Sequence, residues 1–328
     1  MASLTDSSTN PAKRKVSHKP RPSDIFFRST VTVFGLVNLL ILSAIGAFLL
    51  VRGLSVFNDR GLDFLTQFEW QAYVDENGET VTDVGIGAML IGTVVIALIA
   101  LFVAVPISVL TALYLNFYAP TKIKGALTTV IDLMASFPSI LFGLWGYFVL
   151  MPSAEYWAKL INKYFGWIPL FDVPSPLYTR SPFVAGLVLS VMIIPIVTSV
   201  SREVFSQTPL DRIQAAFALG ASKIGMIRAV VLPFGANGAV GGAMLGLGRA
   251  FGETVAIYTV LNIVYDANLK ILFGTGGNVA SHIILRWGEA GQDEVKALLA
   301  AGFVLFVLTL LVNFAADFTV RRTVRKGK

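Results

Sequence analysis

The chain is expected to be an all-α protein that crosses a bilayer six times, and three observations predict it. Of its 328 residues 55% are hydrophobic and only 14% charged, with mean hydropathy +0.71. A water-soluble domain carries roughly 25% charged residues, so this chain lacks the charge to cover a wetted surface. Apolar stretches recur at lengths suited to helices that span a hydrocarbon core of about 30 Å. Lys and Arg are distributed unevenly between alternate connecting segments, as orientation across a membrane demands.

The first span, 31–51, has 21 residues without a charge. A basic, Ser/Pro-containing tail precedes it and Arg52-Gly53-Leu54-Ser55 follows, with no small-x-small cleavage pattern, so it reads as a retained span. The tail, 1–27, is polar and reads as disordered and close to anionic headgroups. The second span lies in 84–121, which holds no Lys, Arg, Asp or Glu for 38 residues and reads as one long helix bent at Pro106. Spans three to six follow at 126–151, 182–200, 235–264 and 297–316, and the chain ends in a basic tail, 319–328.

Orientation comes from the connections. Lys and Arg number six up to Arg28, two in 118–125, four in 201–233 and five from Asp317 onward. The alternate segments 52–83, 152–181 and 265–296 hold two, three and three. Both termini and the 201–233 loop are therefore expected in the cytoplasm of a multi-pass protein of the cytoplasmic membrane. On the outer side, 52–83 has seven acidic residues, with Glu76-Asn77-Gly78-Glu79 marking a turn between short extended pieces. In 152–181, Trp157, Leu160, Ile161 and Tyr164 form an apolar stripe; an interfacial helix and a docking surface for a solute-binding protein are both open readings.

The 201–233 loop is too short to bury a core of its own, yet it reads as two short helices. Thr208 precedes Pro209 as an N-cap precedes a first-turn proline, and Asp211 follows three residues later. Ile213, Ala216, Phe217 and Gly220 fall at helical spacing, and Gly220 is placed to end the helix with positive φ. Ser222 caps a second helix carrying Ile224, Ile227 and Val231, stopped at Pro233. An apolar stripe with no domain to fold back on calls for a protein partner.

Arg249 and Glu253 stand inside the fifth span, four residues apart and expected on one helix face. Each charge costs roughly 2.5–3.5 kcal/mol at the centre of a bilayer, and an i,i+4 pair returns only about 0.2–0.5 kcal/mol. Both should face protein or a water-filled path. A packing seam with a structural salt bridge, along the seven glycines from Gly235 to Gly252, is one reading. The other is an anion path in which Arg249 offers a guanidinium fork to phosphate or carboxylate oxygens and Glu253 neutralises it when empty. Asp132, in the third span, reads as a water-accessible position near a helix start.

Several functions are excluded or left without support. There is no Cys, and His18 and His282 lack ligand-like spacing, so no metal site is expected. No Gly-x-x-x-x-Gly-Lys-Ser/Thr motif is present, so ATP and its Mg belong to another chain and no cofactor is expected on this one. A loose helix-turn-helix likeness at 212–231 runs almost directly into spans at both ends, which leaves no room for nucleic acid. A secondary transporter or channel remains the alternative class.

The spacing also resembles a family signature. ABC-importer permeases carry Glu-Ala-Ala, three residues, Gly, nine residues, an aliphatic residue, any residue, then Leu-Pro. Here Gln214 replaces the Glu, and Ala215, Ala216, Gly220, Val230, Leu232 and Pro233 fall on the frame. From about Ile91 onward the chain resembles the phosphate ABC-transporter permeases of the PstC type. The carrying segments are Ser136-Phe137-Pro138-Ser139-Ile140-Leu141-Phe142-Gly143-Leu144-Trp145-Gly146, Ile193-Ile194-Pro195-Ile196, Ser201-Arg202-Glu203-Val204 and Gly246-Leu247-Gly248-Arg249-Ala250-Phe251-Gly252-Glu253-Thr254. The resemblance implies a type I permease fold over 84–318 behind a first span and acidic loop at 28–83. It implies a coupling helix gripped by a cytosolic ATPase, a homologous second permease subunit, two ATPase subunits and an extracytoplasmic phosphate-binding protein. It also matches Arg249 and Glu253 to that family's charged pair.

Overall fold

The structure, a computed structural model, describes residues 21–74, 80–266 and 268–326. It divides into two units, with the boundary after Phe48. The first unit is helical: α1 (Pro22–Arg60) starts in it with Asp24 in its first turn, where a carboxylate suits the positive end of the helix. The charge-free stretch 31–51 lies within this helix, which extends past it at both ends. Most of the basic tail lies outside the described residues, and the part expected as tail from Pro22 to Phe27 belongs to α1.

The second unit takes the rest of α1 from Leu49, followed by a short helix α2 (Asp63–Thr66) and an antiparallel pair, β1 (Trp70–Val74) and β2 (Thr80–Val84), with Trp70 opposite Val84. These are the extended pieces expected around 76–79; the turn itself lies outside the described residues. Helices follow: α3 (Gly87–Phe117), with Pro106 inside it, α4 (Thr121–Ser136), α5 (Ser139–Trp145), a π-helical turn Gly146–Leu150 and α6 (Met151–Phe165). Then come α7 (Pro182–Ser206), α8 (Leu210–Ala218), α9 (Lys223–Met226), a second π-helical turn Ile227–Val231 and α10 (Leu232–Gly252). The chain finishes with α11 (Val255–Val260), α12 (Val279–Trp287) and α13 (Gln292–Lys326), so residues 319–326, expected as tail, continue a helix.

Among the described residues five helices are long and apolar enough to cross a membrane: Pro22–Arg60, Gly87–Phe117, Pro182–Ser206, Lys223–Gly252 and Gln292–Ala316. A sixth crossing exists only if Thr121–Ser136 and Ser139–Phe165, bent by 97°, count together. The third span expected over 126–151 is thus not one helix but a pair broken at Phe137. Pro138 forces Phe137 out of the α region to φ −68°, ψ 139°, and the chain turns there. The fifth span is corrected as well, because its helix ends at Gly252 instead of running to Val264.

The centre of the unit is the pair α3 and α7. Gly186 lets α7 approach until an added Cβ would strike Ile99, and Ser108 Oγ donates to the Ile194 carbonyl at 3.1 Å. Asn116 Nδ2 donates to the Arg202 carbonyl at 2.7 Å, tying the far ends of the two helices. Around them Ile96, Ala100, Ala104, Val188, Leu189, Met192 and Ile193 form the main core with Leu247, Phe251 and Ile257. At the β-hairpin end, Trp70 Nε1 and Arg286 Nε both donate to Glu294 Oε1, at 2.8 and 2.7 Å. His282 is fully buried there, with Trp70 and Tyr265 edge-on at 4.3 and 5.5 Å between ring centres. On α6, Trp157 and Tyr164 of the expected stripe are exposed, whereas Ile161 turns inward toward Ala158 and Leu272.

Candidate functional site

The residues singled out in the sequence fall in two regions, the 208–233 hairpin and the break after α10. The hairpin is built from its caps. The expected N-cap role of Thr208 is corrected: its hydroxyl donates back to the Phe205 carbonyl at 2.9 Å, and Pro209 takes the cap position with no side-chain bond. The last turn of α7 outcompetes the new helix for that hydroxyl. Gly220 adopts φ +80° as expected and ends the α8 turn, and Ser222 Oγ accepts from Gly225 N at 3.2 Å to start α9.

Pro233 does not stop the helix, which is a second correction. In a regular α-helix its ring would press on the Ala229 carbonyl, four residues back. The wider π turn at Ile227–Val231 comes immediately before it, and helix continues from Lys223 to Gly252.

The hairpin has two apolar faces where the sequence suggests one. Met226, Ile227 and Val231 are buried with Ala112 and Leu113 of α3 and Phe205 of α7, and Ile213, Ala216 and Leu232 pack against them. The expectation that the stripe cannot fold back is therefore corrected for this face. The other face stays open: Leu210 is 72%, Phe217 46%, Leu219 89% and Ile224 58% exposed. Gln214, Ala215, Gly220 and Pro233 are exposed as well. Lys223 Nζ stands 4.5 Å from the ring centre of Tyr118, a cation–π contact that ties the hairpin to the end of α3.

At the break, Gly252 is the last helical residue and Glu253 has extended backbone, φ −72° and ψ 125°. Arg249 and Glu253 consequently do not share a helix face, and no ion pair joins them; this corrects the expected salt bridge. Glu253 is buried, and its Oε1 accepts from Ala256 N at 3.1 Å, so the carboxylate closes the first turn of α11. Arg249 is half-buried and its Nε has no hydrogen-bond partner among the described residues. Asn278 Nδ2 donates to the Glu253 carbonyl at 2.9 Å, Ser281 Oγ donates to the Thr254 carbonyl at 2.8 Å, and Asn278 Oδ1 caps α12 through Ser281 N. Sequence reasoning missed Asn278 and Ser281. The available signal was Asn278 standing before an apolar run, an N-cap pattern.

The glycines of α10 divide by face. Gly235, Gly238, Gly242 and Gly246 lie against Phe205, Val204, Val200 and Val197 of α7, with no room for a side chain at the first two. Gly241, Gly248 and Gly252 have open space where a Cβ would stand, and the first two line a cavity of about 380 Å³ with Asn237 and Asn313. A packing seam and an open face therefore coexist on one helix. Asp132 is half-exposed with Arg202 Nη2 at 3.9 Å.

A family model described as a binding-protein-dependent transport system inner membrane component matches residues 104–325. The chain belongs to that family. Within it, the chain is 40% identical over 317 residues to the phosphate transport system permease protein PstC 2 of Mycobacterium tuberculosis, covering 95% of this chain and 97% of the relative. It is 32% identical to the phosphate transport system permease protein PstC of Pasteurella multocida, covering 92% and 93%. Among solved structures it is similar to the inward-facing MetNI methionine ABC transporter, with TM-score 0.50, 20% identity and coverage of 73% of this chain and 94% of that one. That last likeness concerns the fold alone. The hairpin thus presents an exposed apolar face at one end of a continuous helix, and near the other end Arg249 stands beside the helix break with no ion pair among the described residues.

Proposed function

We propose that the chain is the pore-forming permease subunit of an ATP-driven importer that moves inorganic phosphate across the cytoplasmic membrane, with both termini and the hairpin facing the cytoplasm. The observation that carries the reading is the exposed apolar face of α8, Leu210, Phe217 and Leu219, presented between two spans. The phosphate assignment is supported by the names of its relatives. An ATPase that grips α8 also holds α3 and α7, because the inner face of the hairpin is packed on both. The helix Lys223–Gly252 carries 30 residues, a rod of about 45 Å, and Arg249 stands about 39 Å along it from Lys223. A push at the handle reaches the guanidinium directly, and the break at Glu253 lets α10 move without dragging α11.

Arg249 is read as the anion contact, its fork matched to phosphate oxygens. Glu253 is read as the hinge cap, which replaces the neutralising role inferred from spacing. The complete machine then has a homologous second permease, two ATPase subunits holding ATP and Mg, and an extracytoplasmic phosphate-binding protein. Reconstitution of these chains in vesicles tests the reading. The expected result is phosphate uptake that requires ATP and the ATPase; uptake driven by an ion gradient without the ATPase would make the chain a secondary transporter.

A further inference from the structure

At the end of α7 opposite α8, Arg180 has a feature the transport scheme does not use. Its φ is +53°, and among the described residues it is the non-glycine residue in the left-handed region. A long unbranched side chain gains nothing from that backbone, which suits Gly or Asn far better. The next residues, Ser181 and Pro182, cap and start α7, so the chain must reverse at 180 to enter the helix. What the arginine adds is its guanidinium. This stands 5.3 Å from the ring centre of Tyr147, and Nη2 reaches the Tyr147 hydroxyl at 3.4 Å.

Five other cations on the same side are matched with acids, while Lys163 lies over the Tyr164 ring. Arg60 pairs with Asp83, Lys159 with Glu155, Lys270 with Asp172, Arg286 with Glu294 and Lys296 with Asp293. Arg180 has no carboxylate within ion-pair distance among the described residues. It lines a cavity of about 470 Å³, inside the size range of small-molecule sites. Tyr147, Tyr258 and Asn262 bring two hydroxyls and an amide to the same cavity, whose lining among the described residues contains no acidic residue. The wall is firm: Tyr147 rides on the first π turn, where Gly146 is pressed against Val188, and Gly143 is pressed against α11 at Thr259 and Ala256. A π turn of this kind is a frequent mark of a working site.

The position is informative too. The cavity takes its lining from the C-terminal end of α11, and Glu253 caps the N-terminal end of the same helix. Six residues at 1.5 Å each separate the two by about 9 Å. An anion leaving this cavity would have one short helix to pass before the Arg249 region.

We propose that Arg180, with Tyr147, Tyr258 and Asn262, forms a second site for a phosphate oxyanion, placed at the outer mouth ahead of Arg249. The inference rests on the phosphate-permease reading. The guanidinium supplies the charge, the phenol and amide groups supply hydrogen bonds, and the missing carboxylate leaves the charge available to a ligand. The same chemistry would also hold the phosphate of a phospholipid headgroup, since Phe148 beside the cavity is 71% exposed.

The test uses Arg180→Asn and Arg180→Gly, which remove the guanidinium and accept the φ of +53°. Both should melt no lower than the wild-type chain in the assembled transporter, which separates loss of the site from misfolding. Radiolabelled inorganic phosphate moved per ATP hydrolysed should fall at least tenfold in vesicles with and without phosphatidylglycerol. That result places the free ion at Arg180. Unchanged uptake with loss of phosphatidylglycerol from the purified complex, read by native mass spectrometry, places a headgroup there instead. Unchanged uptake together with unchanged lipid retention overturns the inference. Failure of the wild-type complex to import phosphate at all would strike the functional reading on which this inference rests, whereas an effect absent in the variants alone strikes only the site at Arg180.

Discussion

Arg249 shows how one side chain can be costly to bury and still be kept. Its half-buried guanidinium has an Nε without a partner among the described residues. A charge-assisted hydrogen bond contributes about 1.5–3 kcal/mol, so Arg249→Gln should lower phosphate uptake about 10- to 100-fold, measured as initial rate in vesicles. Arg249→Lys should fall between the two, because the point charge remains and the fork does not. Glu253 is separable by a different pair. Glu253→Gln keeps an oxygen for Ala256 N and should keep near-normal uptake, whereas Glu253→Ala leaves the first turn of α11 open and should lose stability by about 1 kcal/mol in thermal unfolding. Equal stability of the two variants would remove the cap from the account. His282 in α12 adds a pH dependence. Burial, aided by the nearby Arg286 charge and opposed by Glu294, pushes its pKa from 6.5 down to about 4. The folded state therefore holds the ring neutral while the unfolded chain protonates it. Stability is full above about pH 6.5 and declines as the pH falls toward 4, by up to roughly 3 kcal/mol. Melting temperatures of wild type and His282→Leu between pH 7.5 and 4.5 check this, and the variant should show the smaller fall.

At the scale of elements, the hairpin and the seam between α7 and α10 make opposite demands. The seam needs absence of side chain: Gly238 sits on Val204 with no space for a Cβ. Gly238→Leu should destabilise the chain by about 1–3 kcal/mol through overpacking, seen as a lower melting temperature in detergent. Gly241→Ala, on the open face, should leave that temperature unchanged. The hairpin needs the reverse, apolar surface left uncovered. Much of this element was legible in sequence. Gly220 and Ser222 announced their roles because positive φ and an N-cap hydroxyl are local matters. Thr208 and Pro233 were misread for one reason: each has a local preference that a neighbouring helix overrides. The carbonyl of Phe205 takes the Thr208 hydroxyl, and a π turn absorbs Pro233. The breaks at Pro138 and Glu253 were missed because hydropathy is blind to direction, and an apolar run reads the same whether the chain continues or bends.

For the molecule as a whole, the coupling scheme predicts one contact above others. The chain has no Cys, so Phe217→Cys introduces a sole thiol at the exposed face of α8. Crosslinking in cells should capture the ATPase at that position, and labelling from outside intact cells should fail. Capture of no ATPase, or labelling from outside, would undo both the coupling role and the orientation. Composition and charge-free lengths alone pointed to a helical membrane protein, of which five helices are long enough to cross and a bent pair makes a sixth, and the motif spacing carried the resemblance to the family that the family model matches, because burial in lipid and short-range helix signals are written locally along the chain. Only the tertiary structure decided which glycines pack and which stand open, that Arg249 and Glu253 part company, and that one apolar face of the hairpin is already used. Those outcomes depend on what lies across from each residue, and a sequence records its neighbours along the chain but not those across space.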